Sequence, residues 1–207
     1  MRIGLTGGIA SGKSTAARWW VAHGAVLVDT DALARELTQA QGEALPAIAG
    51  RFGTQILNAE QGLDRARMRS LALANPLARK ELEAILHPLI QARAEALADE
   101  ASRAGRAVVF DVPLLVESRV WRSKVDRVLL IDCAEPVQIR RGAARPGWSE
   151  EQVRSILQAQ ASRQQRRAAA DAMLDNSLDE LELLHQSLQL LAIHWGLPRV
   201  PMEESRP

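Results

Sequence analysis

The sequence predicts an α/β fold in which helices cover both faces of a parallel five-stranded sheet. Short apolar segments alternate along the chain with longer stretches of helical pattern, the order that is typical of a parallel sheet. A glycine-rich turn joins the first segment to a helix, and the second and third segments run into an aspartate. We expect the strands at residues 2–5, 25–28, 107–110, 127–131 and 172–174.

The turn after the first strand matches the phosphate-loop pattern G-x-x-x-x-G-K-[ST] without a gap. It reads Gly7-Gly8-Ile9-Ala10-Ser11-Gly12-Lys13-Ser14-Thr15 and opens a helix expected over residues 13–23. Glycines let backbone N–H groups approach a polyphosphate, and the positive end of the helix dipole attracts the anion. The sequence therefore predicts a site for a nucleoside triphosphate.

The side chains of this loop have separate expected tasks. We expect Lys13 to pair with the β- and γ-phosphates and to act in catalysis. Ser14 is expected to bind a magnesium ion that bridges those phosphates. The predicted ATP-binding residues of the loop are Gly8, Ala10, Ser11, Gly12, Lys13, Ser14 and Thr15.

Two carboxylates, Asp29 and Asp31, follow the second strand and precede a helix that is expected to begin near residue 32. Ligands of open α/β sheets bind beyond the carboxyl ends of the strands, which places these acids in the crevice of the phosphate loop. Either acid could cap the helix. For Asp31 we favour a catalytic role, in which it accepts a proton from an attacking hydroxyl or orients that hydroxyl.

The third strand ends in Asp111. An apolar strand that ends in an aspartate is the second characteristic element of phosphate-loop enzymes, where the carboxylate binds magnesium or holds the loop's hydroxyl. Ser14 and Asp111 are therefore the predicted metal residues.

The remaining segments divide the chain into a core and two insertions. Residues 32–103 are helical in pattern and too long for one crossover, which predicts a helical subdomain over the substrate. Six potential helix breakers lie within it: Gly42, Gly50, Gly53, Gly62, Pro76 and Pro88. We assign the core to residues 1–31, 104–138 and 168–197, a lid to residues 139–167, and a frayed tail to residues 198–207.

The predicted lid is rich in arginine. Pro136 is expected to open its first helix, Arg145-Pro146-Gly147 to break it, and Ser149 to Gln152 to form a capping box. Arg141 and Arg145 are four residues apart beside the break, so we expect them to share a helix face and to reach the phosphoryl group on closure. For Arg154, Arg166 and Arg167 we favour a solvated surface.

Composition excludes several classes of protein. The 207 residues carry a net charge of +1, which gives no reason to expect a nucleic-acid or membrane partner. The single cysteine, Cys133, excludes an internal disulfide. There is no apolar run long enough to span a bilayer and no signal peptide, so we expect a cytoplasmic protein and, most simply, a monomer.

Across nearly the whole chain, the order of motifs resembles the dephospho-coenzyme A kinase family. The matching segments are the phosphate loop, Val28-Asp29-Thr30-Asp31, Leu63-Asp64-Arg65, Leu86-His87-Pro88, Asp111-Val112-Pro113-Leu114-Leu115-Val116-Glu117 and Gln158-Ala159-Gln160. The resemblance implies transfer of the γ-phosphoryl group of ATP, with Mg²⁺, to the ribose 3′-hydroxyl of dephospho-coenzyme A. Both nucleotides are thus the expected partners.

Several site residues are implied by that resemblance alone. Asp31 resembles the proposed base, and Arg141 and Arg145 fall at the positions of lid arginines. Asn176 corresponds to the residue near the adenine of ATP. Arg65, His87, Pro88 and Leu114 are the implied substrate-binding residues. The chain departs from the usual family pattern at Ala10 and at Ser177-Leu178, where glycine is common.

Three other functions remain open on the sequence. A nucleoside monophosphate kinase has a similar loop and lid, but it gives no reason for the long helical insertion. A guanine-nucleotide switch is suggested by Ser123-Lys124-Val125-Asp126, although this segment precedes a strand instead of following one. A nucleic-acid-dependent ATPase would need a basic groove.

Overall fold

The computed structural model of the protein describes residues 1–112 and 115–197. All five predicted strands are present, with ends within one residue of those expected. They are β1 (Arg2–Thr6), β2 (Val26–Asp29), β3 (Val108–Asp111), β4 (Arg127–Asp132) and β5 (Ala172–Asp175).

Helices fill the intervals between the strands. In chain order they are α1 (Lys13–Ala22), α2 (Thr30–Leu37), α3 (Leu45–Phe52), α4 (Arg65–Ala74), α5 (Pro76–Arg103), α6 (Arg119–Arg122), α7 (Glu135–Ala143), α8 (Glu150–Ala159), α9 (Arg163–Ala169) and α10 (Leu181–His194). A 3₁₀ turn, Thr54–Ile56, lies between α3 and α4.

The strands form one parallel sheet in the order β2-β3-β1-β4-β5. The central strand β1 pairs with β3, where Leu5 lies opposite Asp111, and with β4, where Thr6 lies opposite Leu130. Parallel pairing brings the carboxyl ends of neighbouring strands to one edge of the sheet. The phosphate loop therefore leaves β1 beside the end of β3.

One face of the sheet packs against α1 and α10. Ile3, Leu5, Val109, Leu129 and Ile131 alternate along three strands and form a buried cluster with apolar residues of the two helices, among them Trp19, Trp20, Leu184 and Leu188. Side chains two residues apart on a strand share a face, so this alternation follows from the sequence. The two tryptophans thus pack in the core.

The opposite face of β1 has no room for a side chain at Gly4. A Cβ atom there would lie 2.7 Å from Cδ2 of Leu115 and 3.1 Å from Cγ2 of Val125. On the adjacent strand, the ring of Phe110 lies 6.2 Å from that of Trp121. Apolar side chains thus cover this face of the sheet as well.

The described chain separates into two compact units, of which Asp29–Asp99 is one. Within it, Ile48, Ile56 and Met68 are buried, and Asp64 caps α4 by accepting a hydrogen bond from the N–H of Arg67 at 3.0 Å. The predicted helical character of this segment is confirmed.

Two of the expected helix breaks in this segment are wrong. Gly50 lies inside α3, and α5 continues from Pro76 through Pro88 to Arg103. Proline removes one backbone hydrogen bond and crowds the preceding turn. Helical register is nevertheless kept, because α5 buries Ala78 on one side of the proline and Ala94 and Ala98 on the other.

Residues of the predicted lid belong to the unit that contains the sheet. Pro136 lies in the first turn of α7, and Ser149 and Gln152 form the expected capping box of α8. A second capping box, Ser162 with Gln165, opens α9. The predicted tail, residues 198–207, lies outside the described residues. Among the described helices, none is both long and apolar enough to cross a membrane.

Candidate active site

The phosphate loop has a backbone that suits an anion. Gly12 adopts a φ of +96°, which only glycine adopts at little cost, and its carbonyl accepts hydrogen bonds from the N–H groups of Thr15 and Ala16 at 2.9 and 3.0 Å. In the described chain no side chain caps α1. The first N–H groups of this helix are therefore available to a phosphate.

Ala10 also adopts a left-handed conformation, with a φ of +57°. A side chain in this region costs about 1 kcal/mol relative to glycine. The requirement explains why glycine is common here in the family that the sequence resembles, and it shows that Ala10 retains the conformation of the loop.

Lys13 and Asp111 form an ion pair at the base of the loop. The lysine begins α1 and the aspartate ends β3, so the pairing of β1 with β3 brings the two charges together. Both side chains are largely buried, with 20 % and 13 % exposed. The predicted phosphate-binding lysine and the predicted metal ligand are thus in direct contact.

The other loop side chains differ in exposure. Ser14 is exposed, and the hydroxyl of Thr15 accepts a hydrogen bond from Arg18 at 3.3 Å. Ser11 is 1 % exposed, and its hydroxyl has no hydrogen-bond partner among the described residues. All three were predicted to bind ATP. The Ser11 hydroxyl lies inside the protein, whereas that of Ser14 lies at the surface.

Two glutamine side chains hold the loop at Ile9. The N–H of Ile9 donates to Oε1 of Gln160 at 3.1 Å, and its carbonyl accepts from Nε2 of Gln138 at 2.6 Å. Gln160 follows α8 and Gln138 lies on α7. The loop is therefore held by two amides, of which Gln160 belongs to the predicted lid and Gln138 is the core residue just before it. Gln138 had no recognisable signal in the sequence, whereas Gln160 lies in one of the family-like segments.

Asn176 contacts the loop from the end of β5. Its Nδ2 donates to the carbonyl of Ser11 at 2.8 Å, and its own carbonyl accepts from Nη1 of Arg141 at 2.8 Å. Arg141 also donates to the carbonyl of Leu178 at 2.9 Å and to Oδ1 of Asp179 at 2.8 Å. The hydrogen bond from Arg141 to Asp179, together with the positive charges of Arg141 and Arg140, lowers the pKa of Asp179.

Arg141 and Arg145 do not share a helix face. The helix that carries Arg141 ends at Ala143, and Arg145 lies in the turn that follows, where its N–H donates to the carbonyl of Gly142 at 3.1 Å. Arg145 is exposed. The expected geometry is wrong because the helix ends before the Pro146-Gly147 turn that was expected to break it.

Asp132, at the end of β4, forms a second buried charge cluster. It is 1 % exposed and accepts hydrogen bonds from Nε of Arg163 at 2.8 Å and Nε of Arg167 at 3.0 Å. Burial by itself raises the pKa of Asp132, but the two guanidinium groups outweigh it and the net pKa is lowered. Asp132 was missed, although it ends an apolar strand in the same way as Asp111.

The expected solvated surface is wrong for Arg166, which is 5 % exposed. Arg167 is exposed as expected, but its guanidinium is also paired with Asp132. Arg154 is exposed on α8 and pairs with Glu150 one turn away, as expected. The difference arises because α9 packs on β4, a contact that charge patterning along the chain does not reveal.

In the second unit, the two acids after β2 have different environments. Asp29 caps α2 by accepting a hydrogen bond from the N–H of Ala32 at 2.9 Å, and it lies 3.9 Å from Nη2 of Arg35. Asp31 lies exposed in the first turn of the same helix. The capping interpretation thus applies to Asp29.

The predicted substrate-binding residues that the structure describes lie on α4 and α5. Arg65, at the start of α4, donates to the hydroxyl of Thr38 at 3.0 Å and to the carbonyl of Arg35 at 3.4 Å. His87 and Pro88 lie exposed in the interior of α5, not at a helix end. Leu114 lies outside the described residues.

Comparison with known protein families shows to which family the chain belongs. The family model for dephospho-CoA kinase matches residues 1–181. The chain belongs to the dephospho-CoA kinase family. Members of this family are kinases, so the chain is a phosphotransferase that uses a nucleoside triphosphate.

Individual members of the dephospho-CoA kinase family and related structures agree with this. A dephospho-CoA kinase from Dechloromonas aromatica is 49 % identical over 186 residues, covering 89 % of this chain and 88 % of its own length. A Thermus thermophilus protein of known structure has a TM-score of 0.76 and 30 % identity, covering 93 % of this chain and 97 % of its own. The dephospho-CoA kinase of Campylobacter jejuni, at 20 % identity and a TM-score of 0.67, covers 93 % and 96 % and shares the fold.

Proposed function

We propose that this chain transfers the γ-phosphoryl group of ATP to the ribose 3′-hydroxyl of dephospho-coenzyme A, with Lys13 and Asp111 at the reaction centre. The observation that carries the assignment of the centre is their ion pair at the base of an anion-binding loop. The kinase activity itself follows from family membership.

Lys13 compensates the charge that builds up on the phosphates. When ATP enters, its β- and γ-phosphates offer Lys13 a stronger partner than a single carboxylate, because they carry more charge. Lys13 then exchanges Asp111 for the phosphates. The loop N–H groups and the hydroxyls of Ser11 and Thr15 complete the cradle.

The exchange leaves Asp111 beside the phosphates as a carboxylate, and Ser14 as an exposed hydroxyl. Mg²⁺ prefers oxygen ligands and commonly takes one or two from the protein, the rest coming from phosphates and water. Ser14 and Asp111 fit that requirement and are the residues that would hold it. When bound, Mg²⁺ neutralises charge on the phosphoryl oxygens.

Asp31 is the proposed base. The 3′-hydroxyl oxygen forms a bond to the γ-phosphorus while the bond from that phosphorus to the β–γ bridging oxygen breaks, and ADP leaves. The hydroxyl proton passes to the Asp31 carboxylate. Support for Asp31 over Asp29 comes from their positions, since Asp31 lies exposed in the first turn of α2, whereas Asp29 is the cap of that helix.

The adenine of ATP is assigned to a pocket beside the loop. Thr15, Arg141, Asn176 and Leu178 line it. Asn176 fixes the carbonyl of Ser11, and the planar guanidinium of Arg141 is held by two backbone carbonyls and Asp179, which preorganises it to stack against a base. Arg65, His87, Pro88 and Leu114 remain the proposed contacts of dephospho-coenzyme A.

We further propose a monomeric cytoplasmic enzyme without nucleic-acid or membrane partners. Its net charge of +1 offers no sequence-independent attraction to a polyanion. Light scattering of the purified chain measures the oligomeric state directly.

The experiment that tests the activity measures phosphoryl transfer from ATP to three acceptors, namely dephospho-coenzyme A, adenylate and guanylate. Formation of coenzyme A with at least about 100-fold preference in kcat/KM is expected, a difference of about 2.7 kcal/mol in transition-state binding. Preference for either mononucleotide would contradict the assignment of the acceptor. ATP hydrolysis without transfer to any of them would contradict the kinase reaction.

A further inference from the structure

Arg166 is a buried guanidinium without a carboxylate partner. Only 5 % of the residue is exposed, and it forms no ion pair within the described part of the chain. Its Nη1 donates to the carbonyl of Ala161, while Nε has no hydrogen-bond partner. Arg163 and Arg167, on the same short helix, both bind Asp132 instead.

This state is costly for the protein in the absence of a ligand. A buried charge without a partner loses its hydration and gains no ion pair in exchange. Burial lowers the pKa of Arg166, while the more distant Asp132, Glu117 and Glu135 act in the opposite direction. An unpaired cation that is kept at such a cost indicates a site for an anion.

The position of Arg166 shows which anion. A Cβ atom on Gly8, in the phosphate loop, would lie 3.0 Å from Nη2 of Arg166 and would collide with Nε2 of Gln138. The guanidinium and the loop backbone are therefore in contact, and glycine at position 8 makes the approach possible. Gln138 is the residue that holds Ile9, the next residue of the loop.

Unsatisfied polar atoms concentrate at the same place. Among the described residues, four buried side-chain atoms have no hydrogen-bond partner, and three of them belong to residues that form or contact the loop: Ser11 Oγ, Gln138 Oε1 and Arg166 Nε. Buried polar groups are satisfied in the great majority of cases. The Ser11 hydroxyl and the Arg166 Nε can both donate to an anion and so point to one as their ligand, whereas Gln138 Oε1 can only accept.

We infer that Arg166 binds the γ-phosphoryl group of ATP and stabilises it during transfer, a role that rests on the proposed kinase function. The planar guanidinium can donate two parallel hydrogen bonds to phosphoryl oxygens. Arg166 already lies against the phosphate loop. It can therefore contact ATP without the lid closure that was expected to bring Arg145 to the phosphoryl group. Arg141 is tied to Asp179 and to backbone carbonyls and is assigned to the adenine instead.

The test compares ATP with ADP, which lacks the γ-phosphoryl group. Calorimetry measures the affinity of wild type, Arg166→Met and Arg166→Gln for ADP and for the analogue in which NH replaces the β–γ bridging oxygen. We expect both variants to bind ADP within about twofold of wild type and the analogue at least about tenfold more weakly. Turnover should fall at least about 100-fold, the scale of losing one preorganised charge contact.

Arg154→Met is the matched control, because Arg154 is exposed on α8 and pairs only with Glu150 there. It should leave both affinities and turnover unchanged. Without nucleotide, Arg166→Met should melt no lower than wild type, since it removes an uncompensated buried charge. A structural role would lower the melting temperature instead.

Three results would overturn the inference. One is an unchanged preference for the ATP analogue over ADP in either folded variant, and another is an equal loss of both ligands. The third is failure of both variants to fold, which would make Arg166 a structural residue. If wild type binds ATP but does not phosphorylate dephospho-coenzyme A, the proposed function fails, while the comparison of the two nucleotides still decides the role of Arg166.

Discussion

Lys13 is neutralised by Asp111 before any nucleotide arrives. Each of these two largely buried charges is compensated by the other, and the ion pair preorganises both groups for the exchange with phosphate. A residue of this kind contributes more to the transition state than to the fold, because the bridging oxygen of the leaving ADP gains negative charge as its bond to the γ-phosphorus breaks.

Replacing Lys13 by alanine should lower kcat by at least about 100-fold, since one preorganised electrostatic contact is lost. Steady-state kinetics with ATP and dephospho-coenzyme A measure this. Lys80→Ala, a change at an exposed lysine on α5, is the control and should leave kcat unaltered. A folded Lys13→Ala enzyme with near wild-type turnover would refute the assignment of the phosphate loop.

Asp31→Asn keeps the size of the side chain and removes its basicity. We expect a loss of about 100-fold or more in kcat with ATP affinity little changed, the range for removal of a general base. Asp29→Asn should be much milder, because asparagine caps a helix about as well as aspartate. If Asp29→Asn were the more damaging change, the two roles would be reversed.

At the scale of elements, Arg141 on α7 and Arg145 in the turn beyond its end lie in two different environments. The structure ties Arg141 to the segment after β5, whereas Arg145 lies in the exposed turn beyond the helix. Arg141 and Arg145 are four residues apart in the sequence, but this spacing does not make them a functional pair.

Alanine substitutions should separate the two. Arg141→Ala should weaken ATP binding without acceptor by about tenfold, because it removes a residue that lines the proposed adenine pocket. Arg145→Ala should leave that affinity unchanged and reduce turnover only if the turn closes over both substrates. Calorimetry and kinetics on each variant measure the two effects. Equal losses of ATP affinity in both variants would show that the arginines act together after all.

At the scale of the whole molecule, Asp132 joins the sheet to α9 through two arginines 31 and 35 residues away in the chain. Its pKa in the folded protein is lowered from the ordinary value of 3.8. The stabilisation is therefore complete above the unfolded pKa and is lost as pH falls through the lower folded pKa.

Asp132→Asn should lower the free energy of unfolding by about 2 kcal/mol at pH 7, because two partly exposed arginines lose the charged acceptor that they share. Its difference from wild type should shrink as pH falls below about 4, the unfolded pKa, and through the lower folded pKa of Asp132. Urea unfolding at several pH values measures both. In contrast, Arg154→Met breaks an exposed pair and should change stability by less than about 1 kcal/mol. A difference that stays constant down to pH 2 would contradict the linkage.

The sequence by itself determined the five strands, the phosphate loop and the starts of α1, α7 and α8. These features have local causes: alternation along a strand, glycines at Gly7 and Gly12, and the capping box at Ser149. It also singled out Asp111, because the end of a parallel strand is a position that a linear pattern can locate. The sequence did not predict that α5 continues through Pro88. Burial of α5 residues on both sides of the proline outweighed the tendency of proline to end a helix.

Only the tertiary structure decided the character of the arginines on α9. Arg163, Arg166 and Arg167 look alike in the sequence, yet two share Asp132, and the third is buried against the phosphate loop with no carboxylate partner among the residues that the structure describes. The physical reason is that the state of a charge depends on its surrounding dielectric and its partners, and packing sets both of these. In this chain that packing joins β4, α7 and α9 around a loop more than about 110 residues away from all three in sequence.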